Sequence, residues 1–308
     1  MKKLLYISVL LALSSGLFAQ QFPFMEAYNV NSYSMSPSYA GIKNPKTLFL
    51  DYRSDWTGVD GGPVTCQLSY NDRLMKKVGL GGKFIYDKTD IFKQTMLMGT
   101  YNYEVQLAKD HIVNFAMSMG FYRNSLDLGK YYNDVNFVDD AVLLYGKESS
   151  KIKLATDFSA LYRFQSIEAG IIFSNVMFGT AKYSEADITY RPLKNYLIHA
   201  SYDYRINESI AVKPIILVRG GQHYPSQLEL AAEARYLERF QGMLVYRTGG
   251  IWGLGFGGEV YNGILLNYSY NLSTNVATNT FGSHQLTLGV KLFNFIHQKG
   301  KMPSGSEN

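Results

Sequence analysis

Asp110 to Tyr122 reads DHIVNFAMSMGFY. Taken every second residue, Val113, Phe115, Met117, Met119 and Phe121 fall on one side, and Asn114, Ala116, Ser118, Gly120 and Tyr122 fall on the other. A period of two is that of an extended strand, whose side chains alternate between faces. One face is wholly apolar and the other is small or polar. Such a strand fits a sandwich, where the apolar face meets a second sheet, or a membrane barrel, where it meets lipid and the polar face lines the lumen.

The pattern recurs along the chain. Val64, Cys66, Leu68 and Tyr70 oppose Thr65, Gln67 and Ser69. Leu228, Leu230, Ala232, Ala234 and Tyr236 oppose Glu229, Ala231, Glu233 and Arg235. Leu286, Leu288, Val290 and Leu292 oppose Gln285, Thr287, Gly289 and Lys291. Tyr196 to Arg205 alternates too, except that Leu197 sits on the polar side, and Ile210–Val218 carries Pro214 inside it. Strands are expected at Thr47–Trp56, Val64–Tyr70, Val78–Tyr86, Gln94–Val105, His111–Tyr122, Lys153–Phe164, Ile167–Phe173 and Asn195–Tyr204. Six more follow at Ile210–Val218, Gln227–Tyr236, Phe240–Arg247, Ile251–Val260, Ile264–Asn271 and His284–Leu292. Fourteen is an even number, as a bacterial single-chain barrel requires. Asp, Glu, Arg and Lys on the polar faces would not be tolerated in a dry sandwich core.

Gap lengths point the same way. The longest, 123–152 and 174–194, follow odd-numbered strands, whereas Gln165–Ser166, Leu237–Arg239 and Tyr261–Gly263 follow even-numbered ones and are short. Outer-membrane barrels have short periplasmic turns and longer outer loops. The expected class is therefore an all-β transmembrane outer-membrane barrel of about 14 antiparallel strands.

Composition agrees. Tyr (25) and Phe (18) far outnumber Trp (2), and tyrosine suits membrane interfaces. Mean hydropathy near zero excludes a helical membrane bundle but not a barrel, whose lumen face dilutes it. The net charge of +5, part of it from Lys2 and Lys3, is too small to argue for nucleic acid. A single cysteine, Cys66, allows neither an internal disulfide nor a cysteine metal cluster, and it is expected to face lipid.

The chain opens MKKLLYISVLLALSSGLFAQ. Two lysines, an apolar run and small residues read as a secretory signal peptide over 1–19, cleaved near Ala19. The expected organisation continues with a periplasmic N-terminal segment over 20–45, the barrel over 46–293 and a periplasmic tail over 294–308.

Motifs for chemistry are weak. Gly253, Gly255 and Gly258 match GxGxxG, but a strand follows rather than the helix that a dinucleotide site needs. His199, Ser201 and Asp203 share one face, yet neighbours two apart on a strand lie ~6.6 Å apart, too far for a triad. Asp134, Asp139 and Asp140 read as a solvated loop rather than a calcium site, and Lys76 and Lys77 as a solvated turn. No cofactor, metal or catalytic set is expected.

More specific are Ser36-Pro37-Ser38-Tyr39-Ala40-Gly41, Arg53-Ser54-Asp55-Trp56-Thr57-Gly58-Val59-Asp60-Gly61-Gly62-Pro63 and Phe281-Gly282-Ser283-His284-Gln285-Leu286. Together these resemble the NPAYAG-like, RxQWxGxDGAP-like and GSHE-like motifs of the PorP/SprF family of outer-membrane proteins, found with the type IX secretion system of Bacteroidetes-type bacteria. The chain departs from that pattern at Ser36, Ser38, Asp55, Gly62 and Gln285.

The resemblance implies a non-enzymatic barrel that assists secretion or surface display of a partner, such as a gliding adhesin. The implied partners are secretion-system components, a secreted client with a C-terminal sorting domain, and a peptidoglycan-associated periplasmic protein. It singles out Pro37, Tyr39, Ala40, Gly41, Arg53, Trp56, Gly58, Asp60, Gly61, Pro63, Gly282, Ser283 and His284 as family-motif and candidate partner-binding residues. Physically, Trp56 is expected to anchor the end of the first strand at the outer interface, with Gly58, Gly61 and Gly62 free to take positive φ. That motif and Gly282–His284 should meet on the outer rim at the barrel's seam, either closing it or recognising a partner. A passive porin or solute transporter is the alternative reading, and an outer-membrane enzyme comes third.

Overall fold

The computed structural model describes residues 24–127, 147–149, 152–177, 195–221, 224–274 and 280–292. The signal-peptide reading, the aspartates at 134, 139 and 140, most of the two long loops and the tail over 294–308 lie outside the described residues.

Fourteen strands form one wall. They are β1 Thr47–Ser54, β2 Val64–Met75, β3 Val78–Thr89, β4 Phe92–Ala108, β5 His111–Asp127, β6 Lys153–Phe164 and β7 Ile167–Met177. Next come β8 Tyr196–Tyr202, β9 Ile210–Gly221, β10 Tyr224–Tyr236, β11 Phe240–Arg247, β12 Ile251–Tyr261, β13 Ile264–Ser273 and β14 Ser283–Lys291. Each pairs antiparallel with the next, and β14 pairs with β1 from Thr47↔Lys291 to Ser54↔His284, so the sheet closes. A barrel closed in this way has no free edge. A short strand, Lys147–Ser149, extends the pairing of β5 at its far end.

The strand expected over Asn195–Tyr204 breaks at Asp203, whose N–H bonds to Ser166 O, and resumes over Tyr204–Arg205. β9 runs unbroken through Pro214, which pairs with Ala232 of β10, while the pairing with β8 begins one residue on, at Ile215. β4 and β5 are 17 residues each, longer than the ~9–11 that a tilted strand needs to cross. Their ladder therefore continues past the lipid, where outward side chains need not be apolar. That is why apolar alternation stops near Val105 and Tyr122 although the strands run on to Ala108 and Asp127.

The alternation that opened the reading is a two-sided wall. Phe115, Met119 and Phe121 face outward, with Phe121 60% exposed, while Asn114, Ala116, Ser118 and Tyr122 are buried within. Leu50, Leu68, Phe84 and Leu97 lie on one rung of the ladder and form part of an outward apolar band. Exposed aromatics flank that band. Tyr101, Tyr103, Tyr202, Tyr236 and Tyr261 lie at one end of the barrel, and Tyr52, Trp56, Tyr246 and Trp252 at the other. Such paired belts sit at the two lipid–water interfaces. The first end carries the short connections, such as Gln165–Ser166 and Asn262–Gly263. The second carries Asp55–Pro63 and the connections that contain 128–146 and 178–194. These are called the turn end and the loop end below.

Candidate functional site

The interior is occupied by the chain's own N-terminal segment. Residues 20–45, expected as a periplasmic leader, lie inside the wall over their described part, because their polar groups find partners on the lumen faces of the strands. The segment folds as short pieces: a 3-10 turn at Ala27–Asn29, one helical turn at Ser32–Met35 and a second 3-10 turn at Pro37–Tyr39. The Asn31 side chain accepts from Ser34 N–H and the Ser36 hydroxyl from Ser38 N–H, capping the last two. Pro37 opens its turn, where a missing N–H costs nothing.

The segment runs from the loop end to the turn end. At the loop end, Arg53 donates to Phe24 O at 3.2 Å. The Glu26 carboxylate pairs with Arg53 at 2.8 Å and Arg247 at 3.1 Å, and accepts from Asn271. Glu26 N–H donates to Gln285 Oε1 at 2.8 Å. Arg53 also grips Asp55 with two donors, and Arg247 pairs with Glu229 at 2.6 Å. Tyr28 donates its hydroxyl to Glu229 at 2.7 Å. Each buried charge here has an opposite charge and further hydrogen bonds, the condition under which burial is tolerated.

Halfway down, Asn31 donates to Asp51 at 3.1 Å and to Ser69 at 3.0 Å, and the Tyr33 hydroxyl lies 2.7 Å from that of Thr100. Further on, Ser38 donates to Ser159 at 2.7 Å and Tyr39 to Glu168 at 3.3 Å. At the turn end, Asn102 donates to Ala40 O at 2.8 Å, Gly41 N–H donates to Asn71 at 2.9 Å, and Lys43 reaches Glu168 at 2.8 Å. The chain then enters β1.

Glycines in β3 make room for this passage. A Cβ on Gly79 would lie 2.0 Å from Ala40 O, and one on Gly81 would lie 2.5 Å from the Tyr33 ring. Gly41 takes φ +74 and faces Gly79 Cα and Asp72 O, each 2.8 Å from where its own Cβ would be. Apolar contacts complete the fit. Val30 packs with Phe49 and Leu265, and Phe24 and Met35 pack against Ile172, Leu197 and Leu217. Leu197, which broke the alternation, is thus an inward residue with an apolar partner supplied by the segment. A cavity of about 280 Å³ remains beside the segment, lined in part by Tyr39, Lys43, His199, Lys213, Glu233 and Arg235. A smaller one of about 70 Å³ lies by Phe24, Lys83, Asp157 and Arg219.

The motif residues divide between the two ends. Pro37, Tyr39, Ala40 and Gly41 are inside, toward the turn end. Arg53, Trp56, Gly58, Asp60, Gly61, Pro63, Gly282, Ser283 and His284 gather at the loop end, beside the β1–β14 seam. There Thr57 N–H donates to Gly282 O at 2.9 Å and Phe281 N–H to Thr57 O at 2.7 Å, joining the two motifs through their backbones. Asp55 N–H bonds to Pro63 O, and Asp90 N–H to Gly61 O. Gly58 (φ 95), Gly61 (φ 77) and Gly282 (φ 80) take positive φ, but Gly62 does not. Gly62 instead answers a close approach, since its Cβ would lie 2.8 Å from Asp55 O. β1 ends at Ser54, so Trp56 lies in the loop at φ 52 with 53% of its surface exposed. Ser283 faces the lumen, while His284 faces outward and its Nδ1 lies 2.6 Å from the Tyr268 hydroxyl.

The remaining candidates lie in the wall. Gly253 and Gly255 lie within β12, where a Cβ on Gly253 would meet the Asn271 side chain at 2.3 Å. His199 is buried beside the Tyr39 ring, at a centroid distance of 5.8 Å. Ser201 is also buried on the lumen face, and Asp203 pairs with Arg235. Cys66 alternates with buried Thr65 and Gln67 and so points to the lipid side. Among the described residues, no group of three His, Cys, Asp or Glu side chains could hold a metal ion. Sequence reasoning missed Glu26, Tyr28, Asn31 and Tyr33 and the residues that receive them. The available signals were Gly79 and Gly81 on one face of β3 and apolar side chains on lumen faces, such as Phe49, Leu197 and Leu217.

A family model described as "Type IX secretion system membrane protein PorP/SprF" matches residues 17–290. No curated protein matches the chain. Among solved structures, the CymD monoaromatic hydrocarbon channel superposes with a TM-score of 0.53 at 11% identity, covering 85% of this chain and 91% of that one. The Acinetobacter baumannii outer membrane protein Omp33 gives 0.45 at 7% identity, covering 79% and 96%. The Pseudomonas putida toluene transporter TodX gives 0.43 at 9%, covering 79% and 86%. At 11% identity the likeness to CymD is one of fold alone.

Proposed function

The chain belongs to the PorP/SprF family of type IX secretion system membrane proteins, and from that premise we propose that it is a non-catalytic accessory barrel that holds partner proteins. It is an outer-membrane protein that associates with type IX secretion components. In this reading it assists the secretion or surface display of a client with a C-terminal sorting domain, a gliding adhesin being one such client. A peptidoglycan-associated protein would bind on the periplasmic side. The signal peptide over 1–19 would deliver the chain to the membrane.

The observation that carries the proposal is the occupied lumen. A passive porin works by leaving an aqueous path between its strands. Here the interior is given over to a segment fixed by Glu26, Asn31, Ser38 and Gly41, with a buried ion pair at its loop end and a half-buried one at its turn end. What the barrel offers other molecules is then its two rims. At the loop end, the Asp55–Pro63 loop is tied to Phe281–Gly282, and Trp56, Val59 and Phe281 are exposed.

The test is a gentle-detergent pulldown of the tagged protein from native outer membranes, read by mass spectrometry, beside planar-bilayer conductance of the same preparation. Secretion components and a large secreted protein in the eluate, with little conductance, would support the proposal. A lone barrel with steady conductance would replace it with the porin reading.

A further inference from the structure

The aromatic belt at the loop end is broken in one sector. Elsewhere the outward positions there carry Tyr52 on β1, Tyr246 on β11, Trp252 on β12, Tyr268 and Tyr270 on β13 and His284 on β14. On β3, β4 and β5 they carry cations, and the strand register fixes their places. Leu50, Leu68, Phe84, Leu97 and Phe121 form one outward apolar rung. The next outward rung toward the loop end reads Tyr52, Cys66, Tyr86, Thr95 and Arg123. The one after it reads Ser54, Val64, Lys88, Lys93 and Ser125. Lys88 and Lys93 therefore stand directly opposite, with Cβ atoms ~5 Å apart, and Arg123 is diagonal to Lys93 at ~7–8 Å. No carboxylate shares these two rungs. Asp90, in the turn that joins β3 to β4, lies against Gly61 of the neighbouring loop. Among the described residues of the fourteen strands, no other lysine or arginine faces outward in the loop-end half.

Depth gives the cluster its meaning. Arg123 is one step, ~6.6 Å, beyond Phe121, and the lysines are two steps beyond Phe84 and Leu97. Hydrocarbon gives way there to headgroups, where an outward cation costs little. Three like charges at that spacing repel one another unless an anion sits among them. We propose that Lys88, Lys93 and Arg123 form a headgroup site for a phosphorylated glycolipid of the outer leaflet, of the lipid A type. Its phosphate lies among the three cations and its acyl chains lie along Phe84, Leu97 and Phe121. Arginine meets a phosphate with two parallel donors, and each lysine adds a compact charge. The inference rests on the loop end facing outward, as long loops do in such barrels, and not on which proteins the barrel holds.

The test uses the full-length barrel, delipidated in detergent. It is titrated with lipid A, with dephosphorylated lipid A and with phosphatidylglycerol, and native mass spectrometry reads the bound lipid. Three cations at about fivefold each give wild type a preference of about 100-fold for lipid A over its dephosphorylated form. The variant Lys88→Gln/Lys93→Gln/Arg123→Gln should lose that preference, with folding verified by heat-modifiable mobility. The charge-keeping variant Lys88→Arg/Lys93→Arg/Arg123→Lys should retain it. Equal binding of the two forms by wild type overturns the proposal without recourse to any variant. An unchanged preference in the glutamine variant also overturns it. Phosphatidylglycerol bound as tightly as lipid A overturns the glycolipid assignment. If the glutamine variant keeps its lipid A preference but loses secretion components in a pulldown, the cluster is a protein contact and the lipid site is refuted.

Discussion

Replacing Glu26 by Ala should loosen the luminal segment without breaking the barrel. The wild-type carboxylate is 2% exposed and bonded to Arg53, Arg247 and Asn271. Removing one member of a buried ion network costs about 3–5 kcal/mol, because charges are left unpaired out of water. Arg53 keeps Asp55 and Arg247 keeps Glu229, so the lower end of that range, about 3 kcal/mol, applies here. At about 1.4 kcal/mol per factor of ten, the ratio of seated to released segment falls by about 100-fold. The strands lose no ladder bond, so heat-modifiable mobility on gels should persist. The assay pairs hydrogen exchange across Asn31–Ala40 with single-channel recording. Faster exchange and more frequent openings are expected. Exchange and conductance unchanged from wild type in a folded Glu26→Ala barrel would refute the claim that this network holds the segment in place.

Gly79→Val should act at the other end. Even its first added carbon would lie 2.0 Å from Ala40 O, so Ala40–Gly41 must shift, and proteolysis between Ser38 and Lys46 should accelerate in purified barrels. On the outer wall, Leu97→Arg places a charge on the apolar band. It should destabilise the barrel by about 2–4 kcal/mol in urea titrations in lipid vesicles, with Thr95→Arg toward the loop end costing less. Deleting 128–146 should leave the barrel assembled, as judged by heat-modifiable mobility, and abolish retention of outer partners in a pulldown. Retention at the wild-type level would remove that loop from the binding face.

The wall was legible because lipid imposes a rule on every second residue. Phe115, Met119 and Phe121 are outside for the same reason that Asn114 and Ser118 are inside, and the fourteen runs needed no knowledge of one another. The luminal segment obeys no such period. Its single-turn helices are too short for an amphipathic repeat, and its bonds reach residues as distant as Gln285, 259 positions along the chain. The seam was half legible: the order of the motifs brings Trp56 and Gly282 to one end, but the backbone bond between Thr57 and Gly282 depends on the closure itself. Pro37–Gly41 stands out as a motif in the sequence, yet its place beside Gly79 and Asn102 depends on a tertiary fit with no local trace except the glycines.

The seam also bears on how the protein is made. Asp51 of β1 accepts from Thr287 of β14 and from Asn31, while Gln285 of β14 accepts from Glu26. The first-synthesised part of the mature chain thus waits for its last strand. A sheet that closed without the segment would leave Asp51 without Asn31, Gln285 without Glu26 and Arg53 with Asp55 alone, while Arg247 and Glu229 would keep each other. Seating the segment and zipping β14 onto β1 therefore draw on the same side chains, Asp51 and Gln285, so each closure supports the other.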